Sequence, residues 1–233
     1  MSRPNVVSRR PRKIERRLSR LLYWRWFRGK QLSTDWASEH LTMWRRVLSP
    51  LRNEPLRILE VGSWEGRSAL FFLNFFWGST ITCIDTFAGD DEHDTYRPWL
   101  DELPKIESRF DYNLAPFGSR VEKLKGLSEE VLRSLAERRR RFDLAYIDGS
   151  HIYDDVLADS IGVWHLLDPG GIIIWDDYKY GAPGAPGVHP SPEQRPQAAI
   201  DTFLSGHVGS YRQLAVGYQL IVEKAPAPAG QSL

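Results

Sequence analysis

At 233 residues, with 42% hydrophobic and 26% charged residues, the chain has the size and composition of one large soluble globular domain with a sizeable core, not of a disordered or fibrous protein. Cys83 is the only cysteine, which excludes a disulfide framework and a cysteine-built zinc cluster and makes a reducing compartment the default. Net charge is +1, yet the first thirty residues hold eleven Lys or Arg against the single acid Glu15; the remainder is net acidic, which argues against a uniform nucleic-acid-binding surface.

Residues 1–30 form a basic N-terminal extension. Leu18, Leu21, Leu22 and Trp26 fall near helical spacing with Arg16, Arg17, Arg20 and Arg25 between them, a pattern that suits an anionic membrane surface. A solvated, partly disordered extension is the preferred reading. No apolar run is long enough for a signal or transmembrane segment, so we expect a cytoplasmic protein, with peripheral membrane contact through this extension left open.

The main domain is expected over residues 31–224. Trp36, Leu41, Trp44 and Leu48 predict an amphipathic helix from Asp35 to Leu51 that covers a sheet edge. The stretch Arg57 to Ser68, RILEVGSWEGRS, then reads as a buried strand that opens through Gly62 and Gly66 into a helix from Arg67 to Trp77. Glu60 at that strand's end disfavours phosphate and suits a cationic amino group or a sugar hydroxyl. The Gly-x-x-x-Gly spacing differs from the Gly-x-Gly-x-x-Gly of dinucleotide folds, which weakens a nicotinamide oxidoreductase. A second strand, Ser79 to Ile84, stops at Asp85, the candidate ribose ligand; a turn or capping aspartate is the alternative.

Thr86 to Phe117 shows no clean period and is expected to be an irregular insert, its aromatics, with His93 and Trp99 among its residues, packing on the sheet or walling an acceptor pocket. Arg120 to Leu124 predicts a third strand, followed by a turn at Gly126 and a helix capped by Ser128. Leu144 to Ile147 and Ile172 to Trp175 predict two more buried strands, joined by a helix over Tyr153 to Leu167 that the turn Asp168-Pro169-Gly170-Gly171 stops. Such a unit is parallel and right-handed, so Asp148, Asp176 and Asp177 emerge at the same carboxyl edge as Glu60 and Asp85. Three carboxylates converging in a cleft call for a cation, and oxygen ligands favour magnesium, calcium or manganese over zinc; a loop cap is the alternative for either of the adjacent pair. The Pro/Gly-rich run after Tyr180, with His189 in it, suits a lid or acceptor loop, His189 itself being solvated. Gln197 to Leu204 predicts a short helix, Tyr211 to Val216 with Gln219 to Glu223 a terminal hairpin, and 225–233 a disordered tail. The fold class is α/β: a single doubly wound, Rossmann-like domain with a mostly parallel sheet and a C-terminal antiparallel hairpin.

In order, ExGxxxGxS, CIDTF, YIDGSH, LLDPGGIIIWDDY and GYQLIVEK resemble a family of small metal-dependent class I S-adenosylmethionine-dependent methyltransferases, methyltransferase domain family 24, over roughly Asp35 to Lys224. The resemblance implies S-adenosylmethionine and a divalent metal, magnesium first among the candidates, as cofactors. It implies that Glu60, Gly62, Ser63, Gly66 and Ser68 hold the methionine part, Asp85 the ribose, and Gly126 and Ser128 the region of the adenine. It also implies that Asp148, Asp176 and Asp177 hold the metal, with His151, three residues after the first of them, as general base; a histidine bonded within its own turn is the plainer reading. The expected function is methyl transfer to a hydroxyl of a small-molecule or glycan acceptor. The alternative is a non-catalytic cofactor-binding domain tethered to an anionic surface by the basic extension. No specific nucleic-acid partner is expected, and homo-oligomerisation is left open.

Overall fold

Five short runs of β-branched and aliphatic residues pair side by side: β1 (Arg57–Val61), β2 (Thr80–Asp85), β3 (Val121–Lys125), β4 (Phe142–Ile147) and β5 (Leu167–Trp175). All five are parallel, and an antiparallel pair, β6 (Tyr211–Val216) and β7 (Leu220–Lys224), completes the seven-stranded sheet, in the order β3-β2-β1-β4-β5-β7-β6. These strands belong to a computed structural model that describes residues 4–7, 12–89, 101–181 and 191–226. The sheet is mostly parallel with helices on both faces, the doubly wound α/β class expected of the sequence.

One face is covered by α1 (Lys13–Phe27), α2 (Leu41–Leu48), α3 (Arg67–Phe75) and α4 (Leu103–Leu114). Its core is aromatic: Trp44, Phe71, Phe72, Phe75 and Phe110 are buried together with Ile58 and Tyr146 from the sheet. The opposite face is covered by α5 (Ser128–Glu137), α6 (Tyr153–Leu166) and α7 (Pro196–Ser205), which bury Leu132, Leu135, Val163, Trp164 and Phe203 against Leu59, Ala145 and Ile173. With both faces covered, all six residues of β4 are buried, which is why that strand reads as continuously apolar apart from Asp143.

Several boundaries differ from expectation. The helix expected over Asp35 to Leu51 is only α2, because Asp35 Oδ1 accepts the Ser38 amide and residues 37–40 close a turn before it, while Pro50 opens a short 3₁₀ turn, Ser49–Leu51, after it. The expected irregular insert contains α4, which buries Ile106, Phe110 and Leu114; Pro104 lies in its first turn, where a proline starts a helix and does not break one. Residues 90–100, with His93 and Trp99, lie outside the described residues. Asp168 to Gly171 is part of β5, where the pairing with β4 shifts register between Phe142 and Leu144, not a free turn. Ser128 is the first residue of α5, with Leu127 at the cap position. Within the basic extension α1 is an ordered helix; the Pro/Gly-rich run at 182–190, including His189, and the tail at 227–233 lie outside the described residues. No helix among the described residues is long and apolar enough to cross a membrane.

Candidate active site

The carboxyl ends of four parallel strands are level. Val61 pairs with both Ile84 and Ile147, and Ile147 pairs with Trp175. The ladder runs one residue further: Gly62 N–H donates to Ile84 O at 2.9 Å, Asp148 N–H to Val61 O at 2.8 Å and Asp176 N–H to Ile147 O at 3.0 Å. Gly62, Asp85, Asp148 and Asp176 therefore emerge together where strand order reverses between β1 and β4, the crevice in which open α/β sheets bind ligands.

The β1–α3 turn is set by backbone geometry. Gly62 has φ +80°, and a Cβ there would lie 1.9 Å from the Asp148 carbonyl oxygen, so only glycine lets β1 and the β4 loop meet. Asp85 holds the turn from the side: its Oδ2 accepts the amides of Ser63 and Trp64, both at 2.7 Å, and its Oδ1 the amide of Phe87 at 2.6 Å.

Glu60 is not at the edge. It is fully buried beneath the turn, paired in register with Cys83, whose thiol donates to Glu60 Oε2 at 3.4 Å. Burial raises its pKa from 4.5 to about 7, against the opposing effect of the nearby Ser68, Ser63 and Cys83. The folded state therefore holds this proton more tightly than the unfolded chain. Stability from this group is full below pH 4.5 and falls as pH rises towards about 7, by about 3 kcal/mol at 1.36 kcal/mol per pH unit. Glu60→Gln is thus expected to stabilise the ligand-free protein by up to about 3 kcal/mol at pH 8 and by little at about pH 4. Urea unfolding of both proteins across this range checks it; parallel stability curves would refute it.

Opposite the turn, Asp148, Asp176 and Asp177 place one carboxylate oxygen each within 4.8 Å of one another. Tyr146 Oη donates to Asp148 Oδ2 at 2.9 Å and Tyr218 Oη to Asp177 Oδ1 at 2.9 Å. Gln219 Nε2 donates to Asp176 Oδ1, and Gln219 Oε1 accepts the Trp44 indole N–H at 2.8 Å. Because an indole only donates, Trp44 fixes which way this amide faces. Burial and the charges of Asp176 and Asp177 push Asp148 well above the usual carboxylate range. Burial also lifts Asp176, to about 6, despite the opposing charge of His40. Burial pushes Asp177 up too, but contacts with His151 and Tyr218 outweigh it and hold it below the usual value. Crowded carboxylates that resist ionising together, all oxygen donors, fit a hard divalent cation such as magnesium.

Two histidines flank the three acids. His151 Nε2 is 3.1 Å from Asp177 Oδ2, and its ring stacks on Tyr180 at 4.0 Å. His40 Nε2 lies 3.9 Å from Asp176 Oδ1, and its ring stacks on Tyr218 at 5.8 Å. His40 went unnoticed in the sequence, where it reads as one more position on a helix; the turn at 37–40 is what delivers it.

A cleft of about 1590 Å³ joins these parts. Gly62, Ser63, Ser68, Asp85, Gly126, Ser128, Asp148, His151, Asp176 and Asp177 all line it. Two expected site residues do not. Glu60 lies below the floor, and Gly66, at φ +80° as the N-cap of α3, faces Leu114 and Phe110 of α4. Both support the turn from behind. Ser128 also bonds Asp159 of α6, whose pKa burial raises to about 6.

Residues 59–178, more than half of the chain, match the family model described as a methyltransferase domain, number 24 of its series. The chain belongs to this methyltransferase family. An uncharacterized protein, R132, of Acanthamoeba polyphaga mimivirus is 25% identical over 144 residues, 60% of this chain and 59% of that protein. Among solved structures, the MycE methyltransferase of the mycinamycin biosynthetic pathway, in complex with Mg, S-adenosylhomocysteine and mycinamycin VI, superposes with a TM-score of 0.59 at 21% identity, covering 93% of this chain and 56% of that one. The O-methyltransferase NovP gives 0.53 at 16% identity, covering 73% and 72%, and a protein from Corynebacterium glutamicum 0.54 at 18%, covering 95% and 94%. These are likenesses of fold. The chain spans less than two thirds of the length of both the viral relative and MycE.

Proposed function

We propose that this family member transfers a methyl group from S-adenosylmethionine to a hydroxyl of a small-molecule or glycan acceptor, with a divalent cation at Asp148, Asp176 and Asp177. The observation that carries the reading is the convergence of these three carboxylates directly across the crevice from the Gly62 turn. The magnesium and S-adenosylhomocysteine bound by MycE, on the same fold, support it. A bound cation would supply orientation and acidification of the acceptor hydroxyl.

The chain's own residues do the rest. The turn from Gly62 to Ser68 and the start of α5 near Gly126 and Ser128, which meet through Asp85, both line the cleft and cradle the cofactor. A carboxylate has about four acceptor sites. Asp85 spends three on backbone amides, which leaves one for a ribose hydroxyl. His151, placed by Asp177 and Tyr180, takes the acceptor's proton on whichever ring nitrogen carries its lone pair; a carboxylate only accepts, so Nε2 is the donor for as long as it faces Asp177. In the transfer a C–O bond forms as the C–S bond of the sulfonium breaks, and S-adenosylhomocysteine leaves.

Calorimetry with S-adenosylhomocysteine tests the cofactor. Wild type is expected to bind it, and Asp85→Ala to bind about tenfold to hundredfold more weakly, the equivalent of about 1.5–3 kcal/mol for a charge-assisted hydrogen bond. A folded wild type without measurable binding would remove the assignment.

A further inference from the structure

Helix α1 is amphipathic on two sides. Its inward side docks on the domain: Tyr23 stacks on Trp26 at 4.4 Å and meets Phe71 edge-on at 5.5 Å, while Glu15 pairs with Arg46 of α2 at 2.6 Å. The outward side carries Ile14, Leu18, Leu21 and Leu22, spaced i, i+4, i+7, i+8, as one stripe. These side chains are 65%, 53%, 67% and 59% exposed, where packing on the domain would have hidden them. Arg17, Arg25 and Arg28 are exposed around the same stripe, and Trp24 is half-exposed beside Arg28, whose guanidinium lies 5.5 Å from the indole centre.

From this pairing of an aliphatic stripe with an arginine border we infer that α1 is a membrane-surface helix that seats the domain on an anionic bilayer. The chemistry matches at both levels of such an interface. Ile14, Leu18, Leu21 and Leu22 sink to the acyl boundary, roughly 5–10 Å below the headgroups, while the arginines reach lipid phosphates and the indole sits between them. A free polyanion would engage the arginines and leave the stripe in water. A second copy packed on the stripe about a two-fold axis would set the arginine borders of the two copies against each other, so like charges oppose that occupant. Arg16, on the inward side of α1, lines the cleft, which puts the cleft rim about one helix diameter, ~10 Å, from the seated surface.

The test is co-sedimentation of the full chain with vesicles of two parts phosphatidylcholine to one part phosphatidylglycerol, and with phosphatidylcholine alone. Wild type is expected to pellet with the anionic vesicles, to be released as salt rises, and to stay in solution with the neutral ones. The double variant Leu18→Glu/Leu21→Glu, at exposed positions, is expected to keep its melting temperature and bind about tenfold more weakly or worse. Arg17→Gln/Arg25→Gln is expected to lose affinity with the stripe intact, so the two halves of the surface are read separately. Wild type that stays in solution with anionic vesicles overturns the inference, as does equal binding by the leucine variant. A dimer in sedimentation velocity that the leucine variant abolishes, without vesicle binding, assigns the face to a second copy instead. Retention on heparin without vesicle binding assigns it to a free polyanion.

Discussion

Exhaustive removal of divalent cations is expected to abolish methyl transfer while leaving S-adenosylhomocysteine binding nearly intact, and Asp177→Ala is expected to copy the chelator. The two sites are separable because the proposed cofactor cradle is the β1–α3 turn, Asp85 and the start of α5, whereas the acids directly follow β4 and β5. Charge stabilisation of several kcal/mol by a cation corresponds to a fall in turnover of roughly 10²–10⁴-fold at 1.36 kcal/mol per tenfold. Asp177 is the informative member because it bonds both His151 and Tyr218, so its loss removes one proposed cation ligand and the anchor of the candidate base together. The measurements are turnover in metal-free buffer, recovery on adding back magnesium, and manganese binding followed by electron paramagnetic resonance for wild type and variant. Undiminished turnover after complete metal removal would dismiss the cation, and unchanged manganese binding by Asp177→Ala would dismiss the triad as its holder.

His151→Gln is expected to slow turnover about 10²–10⁴-fold with cofactor and cation binding near wild type. Glutamine keeps a polar group near Asp177 and Tyr180 but cannot accept a proton. An acceptor hydroxyl is a poor nucleophile until its proton leaves, and a cation lowers the hydroxyl pKa without itself taking that proton. The wild-type rate is expected to rise with pH through one ionisation that the variant lacks. His40→Gln serves as the internal comparison, because His40 faces Asp176 from the other side of the acids. If the larger loss and the missing ionisation belong to His40→Gln, the base is His40 and His151 has a positioning role through Asp177.

Much of this arrangement is legible in the sequence. An acid that follows a buried aliphatic run has one natural place in a parallel sheet, the carboxyl edge, and the right-handed crossover between β4 and β5 sends both strands the same way. Asp85, Asp148, Asp176 and Asp177 follow from those two facts, and the turn at Gly62 from a glycine placed directly after the first run. Helix α4 did not, because Ile106, Phe110 and Leu114 are its few buried apolar side chains in a stretch otherwise dominated by charged and polar residues.

The misplaced position of Glu60 has a related cause. On a strand covered on both faces, alternation no longer tells an edge residue from a buried one, and Glu60 stops one residue short of the edge, under the turn and beside Cys83. His40, Tyr218 and Gln219, the last held by Trp44, meet the acids only because α2 and the β6–β7 hairpin close on the same end of the sheet. The Trp44–Gln219 bond joins residues 175 positions apart, and local periodicity holds no information about such a pair. The same holds for α1. Spacing shows that Leu18, Leu21, Leu22 and Trp26 suit a helix, but which of them turn inward depends on Phe71 and Phe75 of α3, which receive Tyr23 and Trp26 and leave the leucines facing out. Backbone propensity and strand-end chemistry are properties of neighbouring residues; the partner of a side chain is a property of whatever the rest of the chain packs against it.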